Sequence, residues 1–153
     1  PAAFEPGPVA EDADALSAAF TTIAVEADEE TLDRLRTEVP VPSGHTDDGA
    51  VFRAADAGGG GAPGGPPGAA EIVRFYSSGP DLLEVAEVFV DGPAPIASAA
   101  GVPVEVDGWG EVWFEPGFRT SFLRGRTSES SYVELRHHDV AFLFEVFRTI
   151  TAR

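Results

Sequence analysis

Hydrophobic and polar residues alternate along several short segments of the chain, a pattern typical of β-strands with one buried face. Such strands are predicted for residues 19–26, 49–55 and 71–76. From residue 102 onward, four further alternating segments are separated by turn-forming residues, which predicts hairpins joined in series. The C-terminal part of the chain is therefore expected to contain a four-stranded antiparallel meander.

The apolar residues of this meander also predict its register, because a shift by one residue would exchange the two faces of a strand. Loops at residues 108–110, 116–118 and 127–130 bring the apolar positions of all four strands onto one face. The residues expected on this core face are Val104, Val106, Val112, Phe114, Phe122, Val133 and Leu135.

Other segments carry polar residues every three or four positions, which predicts amphipathic helices. One helix is expected within residues 28–39, a second at residues 81–91 after a Ser-Gly-Pro start signal, and a third from Asp139 to the end of the chain. The predicted order is β-α-β-β-α-β-β-β-β-α. This order indicates an α+β fold in which two or three helices flank an antiparallel sheet.

Two segments have compositions that do not favour packing. Residues 1–17 are rich in Pro, Ala and acidic residues, which predicts an N-terminal arm. Residues 57–70 contain seven Gly and three Pro, which predicts a flexible loop. Residues 18–153 are expected to form a single domain around this loop, a size that is ordinary for one domain.

The composition excludes several kinds of chemistry. Without cysteine there is no disulfide, no thiolate nucleophile and no zinc–thiolate site. All ten basic residues are arginines, and the absence of lysine excludes Schiff-base catalysis and the phosphate-binding P-loop. Any catalytic chemistry must therefore use the three histidines, the carboxylates, hydroxyl groups or arginines.

The net charge of −16 disfavours binding to nucleic acids and to anionic membranes. A strong excess of acidic residues is also compatible with a salt-adapted protein, because high salt screens the repulsion between carboxylates. No segment has the length of a membrane-spanning helix. A cytoplasmic location is expected, and a secreted or surface-anchored protein whose leader has been removed is the alternative.

The histidines are the candidate metal ligands. His45 precedes two aspartates at 47–48, but the Asp-Asp-Gly sequence is explained by turn formation. His137 and His138 stand at the end of the last predicted strand, before the capping residue Asp139. Because adjacent strand residues point to opposite faces, these two histidines are not expected to bind one ion. Neither a metal site nor a cofactor is predicted.

Aromatic residues and arginines on the outer face of the meander suggest a binding surface, because Trp, Tyr and Arg are enriched at interaction hot spots. The predicted surface consists of Trp113, Arg119, Leu123, Tyr132 and Arg136. The hypothesis is a non-catalytic module that binds a protein partner or a second copy of itself. Two alternatives stay open: a small-ligand-binding or sensor domain tethered at the cell surface, and a small hydrolase or isomerase that uses His137 or His138 with a carboxylate.

Overall fold

A computed structural model describes residues 22–55 and 69–153, and this part of the chain is mostly β-structure. The strands are β1 (Thr22–Glu26), β2 (Thr37–Glu38), β3 (Thr46–Ala55), β4 (Ala70–Ser78), β5 (Asp81–Phe89), β6 (Val102–Val106), β7 (Gly110–Glu115), β8 (Ser121–Ser128), β9 (Ser131–His137) and β10 (Thr151–Ala152). The helices are α1 (Glu29–Leu32) and α2 (Val140–Thr149). Eight strands form one antiparallel sheet in the order β1-β3-β4-β5-β9-β8-β7-β6, and β2 pairs with β10 separately.

The predicted α+β fold is wrong, because the segment predicted as a helix at residues 81–91 contains strand β5. This strand lies in the middle of the sheet between β4 and β9. Both of its faces are covered, so Leu83, Val85, Ala86 and Val88 are all buried. A strand that is buried on both faces does not show the simple alternation of an edge strand. Its few polar residues happened to fall at helical spacing.

The predicted meander and the predicted last helix, which depend on residues close together in the sequence, are both present. Strands β6 to β9 form an antiparallel meander, and α2 begins after Asp139, whose carboxylate accepts a hydrogen bond from the Phe142 N–H at 3.2 Å. The helix expected within residues 28–39 is reduced to the short α1, which Asp28 caps through the Thr31 N–H at 2.8 Å. The chain then enters the two-residue strand β2.

Two predicted segments lie wholly or largely outside the described residues. The N-terminal arm at residues 1–17 is one of them, and the predicted loop at residues 57–70 is described only from Ala69. Ala69 is buried in one of the apolar layers of the fold and Ala70 begins β4, so the last two residues of that predicted loop are part of the packed fold.

The register of β8 differs from the predicted one. The prediction placed Phe114 opposite Thr120, whereas the structure pairs Phe114 with Leu123 and Glu115 with Phe122. This is a shift by an odd number of residues, which reverses the faces of β8. Leu123 therefore lies in the core, and Phe122 lies on the opposite face.

Both faces of the sheet are covered. On one face α2 buries Leu143, Val146 and Phe147 against the apolar residues of the central strands. On the other face, called the outer face here, the connection between β5 and β6 buries Ala94 and Ile96. The chain thus encloses two apolar layers, of which the layer beneath α2 is the larger.

Candidate metal centre

The structure does not bring the five residues of the predicted binding surface together on one surface. Leu123 is fully buried beneath α2, on the face opposite Trp113. Tyr132 is buried beneath the β5–β6 connection, and this burial raises the pKa of its hydroxyl to about 12. Trp113 is half-buried, and its Nε1–H donates to Ser98 Oγ at 3.2 Å. The expectation that Tyr132 is exposed is therefore wrong.

The two arginines of the predicted surface have different surroundings. Arg136 is largely buried on the outer face, where its guanidinium donates to Glu134 at 2.7 Å and to Glu71 at 3.0 Å. Burial acts to lower the pKa of Arg136, but these two carboxylates raise it above its usual range. Arg119 lies instead in the exposed loop between β7 and β8. The guanidinium of Arg136 is therefore engaged in ion pairs on the sheet, whereas the side chain of Arg119 is exposed to solvent.

Arg136 belongs to a chain of ion pairs that crosses the outer face of the sheet. Along this chain each inner residue contacts two residues of opposite charge. The pairs are Arg53–Glu71 (3.3 Å), Glu71–Arg136 (3.0 Å), Arg136–Glu134 (2.7 Å), Glu134–Arg124 (2.6 Å) and Arg124–Glu115 (3.3 Å). These contacts link strands β3, β4, β9, β8 and β7.

All three histidines of the chain lie around one carboxylate, that of Asp81. Asp81 is the first residue of β5 and follows a tight turn in which Gly79 adopts a positive φ of 61°. Strand β5 pairs with β9, so the beginning of β5 lies beside His137 at the end of β9. His45 reaches the same place from the segment before β3.

His137 orients the Asp81 carboxylate. The Asp139 N–H donates to His137 Nδ1 at 2.9 Å, so the ring proton must be on Nε2. The Nε2–H then donates to the two oxygens of Asp81, at 2.8 and 2.9 Å. Because only 2% of the His137 side chain is exposed, its contact with the Asp81 carboxylate lies on the buried side of the cluster.

Asp81 is held in its ionised form. Partial burial acts to raise the pKa of this carboxyl, but the hydrogen bond from His137 and the proximity of the other two histidines lower it below its usual range. The carboxylate is only partly covered, because 27% of the Asp81 side chain is exposed. It is therefore a permanent anionic ligand at neutral pH.

His45 has the opposite proton arrangement. Its Nδ1 lies 3.2 Å from the Ser43 carbonyl oxygen and donates to it, which leaves a lone pair on Nε2 in the neutral ring. The Nε2 atom is buried, has no hydrogen-bond partner among the described residues, and lies 3.4 Å from Asp81 Oδ2. The ring is stacked on Phe142, at 5.1 Å between centroids. In the neutral ring a lone pair therefore faces a carboxylate oxygen, whereas in the protonated ring an N–H would be directed at that oxygen.

His138 completes the cluster from the solvent side. Its side chain is 66% exposed, and its Nδ1 lies 3.2 Å from Asp81 Oδ1. Asp81, His137 and His138 each place one potential ligand atom within 4.8 Å of the other two. Both adjacent histidines reach Asp81, because β9 ends at His137 and the alternation of a strand does not extend to His138. That the two histidines do not bind one ion together stays a prediction.

The cluster lies in an open cleft of about 630 Å³. The turn before β5, the β7–β8 loop and the beginning of α2 form its walls, and Arg119 and Phe142 line it beside the histidines. Sequence reasoning missed Asp81, which was interpreted as part of a helix start. The scarcity of histidine was the one available signal, since all three copies occur at element ends or in connections.

Comparisons with protein-family models, with curated proteins and with solved structures find no match for this chain. Within the described ranges, no helix is long and apolar enough to cross a membrane. The case for a function therefore depends on the residues of the cleft.

Proposed function

We propose that the protein binds a divalent transition-metal ion, such as Zn²⁺, through His45, Asp81 and His138. The observation that carries this proposal is the buried, unpartnered Nε2 of His45 facing the ionised carboxylate of Asp81. A buried polar atom without a partner is costly, and two electron-rich atoms at this separation repel each other. A cation bound by both atoms would remove both penalties.

Two of the three separations between the proposed ligands match those around a metal ion, and each involves a different oxygen of Asp81. Neighbouring ligands of a tetrahedral ion with bonds of about 2.0–2.1 Å are about 3.3 Å apart. His45 Nε2 lies 3.4 Å from Asp81 Oδ2, and His138 Nδ1 lies 3.2 Å from Asp81 Oδ1. The residues whose potential ligand atoms lie within 4.8 Å of one another are Asp81, His137 and His138, and not His45. The exposed side chain of His138 would therefore have to rotate toward an ion held by His45 and Asp81. Three protein ligands leave one position of a tetrahedral ion available for water or another small ligand.

The donor types favour particular metals. Imidazole nitrogen with a carboxylate suits Zn²⁺ and the neighbouring late first-row ions, whereas Mg²⁺ and Ca²⁺ prefer sites made entirely of oxygen atoms. His137 serves here as a positioning residue and not as a ligand, because its Nδ1 accepts the Asp139 N–H and its Nε2–H is directed at Asp81. Such hydrogen bonds orient the ligands of metal sites and strengthen metal binding.

The competing interpretation is that a proton replaces the metal, so that His45 is an imidazolium paired with Asp81. Calorimetric titration of the full chain with Zn²⁺ separates the two. We expect 1:1 binding that is lost in Asp81→Asn and weakened at least about a hundredfold in His45→Gln, whereas His137→Gln weakens it about 10–100-fold. Circular dichroism of each variant establishes whether it is folded.

Asp48→Asn is the matched control, because Asp48 is exposed, close in sequence to His45 and outside the cluster. This variant should bind Zn²⁺ as the parent protein does. Titration with Mg²⁺ should give no measurable binding. The proposal is wrong if the parent protein does not bind Zn²⁺, or if folded His45→Gln and Asp81→Asn bind it unchanged.

The functions predicted from the sequence have unequal support. The interaction module remains a prediction, and the partial burial of its proposed surface does not favour it. The hydrolase or isomerase alternative gains one observation, a histidine and a carboxylate within hydrogen-bond distance in a cleft. Within that alternative His138 is the better base, because His137 is buried and both of its ring nitrogens are engaged. The metal proposal is preferred because it also accounts for His45.

A further inference from the structure

We infer that the metal-loaded cleft binds a small organic oxyanion, a phosphate or carboxylate group attached to an apolar moiety. This inference rests on the proposed metal site, whose open coordination position would receive one oxygen of the anion. The remaining contacts would come from Arg119 and from apolar side chains at the cleft.

Arg119 is the residue that indicates an anion. Five of the ten arginines each have a carboxylate within 4.0 Å: Arg53, Arg74, Arg124, Arg136 and Arg153. Among the other five, Arg119 is the one that lines the cleft. No carboxylate of the described residues lies within that distance of Arg119, although acidic residues outnumber basic ones by 26 to 10. A guanidinium that lines a cleft is well suited to bind a carboxylate or phosphate through two parallel hydrogen bonds.

The charges of the cleft make this binding dependent on the metal. Asp81, Glu84 and Asp139 line the cleft together with two arginines, of which Arg136 is already bound by two glutamates. Without a metal ion the cleft does not attract an anion. A bound divalent cation would reverse this balance and place positive charge on both sides of the ligand, at the ion and at Arg119.

Apolar side chains at the same cleft indicate the rest of the ligand. Leu82 lines the cleft with 46% of its surface exposed, and Phe142 forms part of the wall. Exposed apolar surface beside convergent polar groups is typical of sites that bind organic molecules rather than bare inorganic ions.

Calorimetric titration of the Zn²⁺-loaded full chain with four anions tests the inference. Phenyl phosphate should bind about tenfold more tightly than inorganic phosphate, because its ring buries apolar surface. Benzoate and acetate form the second pair, and the pair that binds identifies the ligand as a phosphate or a carboxylate. The metal-free protein should bind none of the four. Arg119→Gln should weaken binding at least about tenfold, whereas Arg148→Gln, an exposed arginine outside the cleft, should not.

The outcomes distinguish this inference from the metal proposal. If the protein binds Zn²⁺ but the loaded protein binds no anion, the inference is wrong and the metal site stands. Anion binding that is equal without metal, or unchanged in Arg119→Gln, also overturns it. Equal affinity for phenyl phosphate and inorganic phosphate, or for benzoate and acetate, would overturn the assignment of an apolar moiety. If the protein does not bind Zn²⁺, both proposals fail together.

Discussion

Replacing Glu87 by Gln is expected to lower the free energy of unfolding by about 3–5 kcal/mol. Glu87 lies in β5 with no exposed surface. Its two oxygens accept hydrogen bonds from the N–H groups of Arg36 and Thr37, each at 2.9 Å, from the Thr37 hydroxyl, and from Arg74 at 3.4 Å. Glutamine would remove the charge and direct its own NH₂ group at one of these donors, which leaves buried groups without partners.

Urea unfolding of the two proteins measures this difference. The matched control is Glu105→Gln, because Glu105 is exposed on the edge strand β6. This control should change the stability by no more than about 0.5 kcal/mol. Equal stabilities for the Glu87 and Glu105 variants would show that Glu87 does not anchor the segment before β2 to the sheet.

Truncation of Leu123 is expected to cost about 2–5 kcal/mol, because Leu123→Ala leaves a cavity in the layer beneath α2. The neighbouring variant Phe122→Ala is the control. Phe122 is half-buried on the outer face, with the Arg124 guanidinium 5.6 Å from its ring, and its truncation should cost about 1 kcal/mol.

Thermal and urea unfolding of this pair test the register of β8 directly. The register predicted from the sequence places Phe122 in the core and therefore requires the larger loss for Phe122→Ala. A larger loss for Phe122→Ala than for Leu123→Ala would contradict the observed pairing of β7 with β8.

The parts of the fold that could be predicted depend on residues close together in the sequence. The cap of α2 is formed by Asp139 three residues from its partner, and the hairpins of the meander join neighbouring strands. Strand β5 could not be predicted in this way. Because both of its faces are covered, its apolar residues form a nearly continuous run, and such a run does not distinguish a strand from a helix. The register of β8 failed for a related reason: Phe122 and Leu123 are both apolar, so the pattern alone does not select one of them.

The candidate site could not be predicted because strand β5 was not predicted. Its residues come from three distant segments. Asp81 meets the histidines at 137–138 because β5 pairs with β9, and His45 joins them because β4 pairs with both β3 and β5. With residues 81–91 predicted as a helix, Asp81 had no reason to lie beside His137. Within their own segments, turn formation and helix capping explain the aspartates that neighbour the histidines. Only the pairing of the central strands shows that His45, Asp81 and His138 share one cleft.

The chain of ion pairs on the outer face limits how this protein can change over evolutionary time. Glu71 and Glu134 are each shared by two arginines, and Arg124 and Arg136 are each shared by two glutamates. Loss of any one of these four inner residues leaves both of its neighbours, which carry the opposite charge to it, without part of their compensation. Homologous chains are therefore expected to keep this row intact or to replace neighbouring members in concert, so that substitutions in different strands covary.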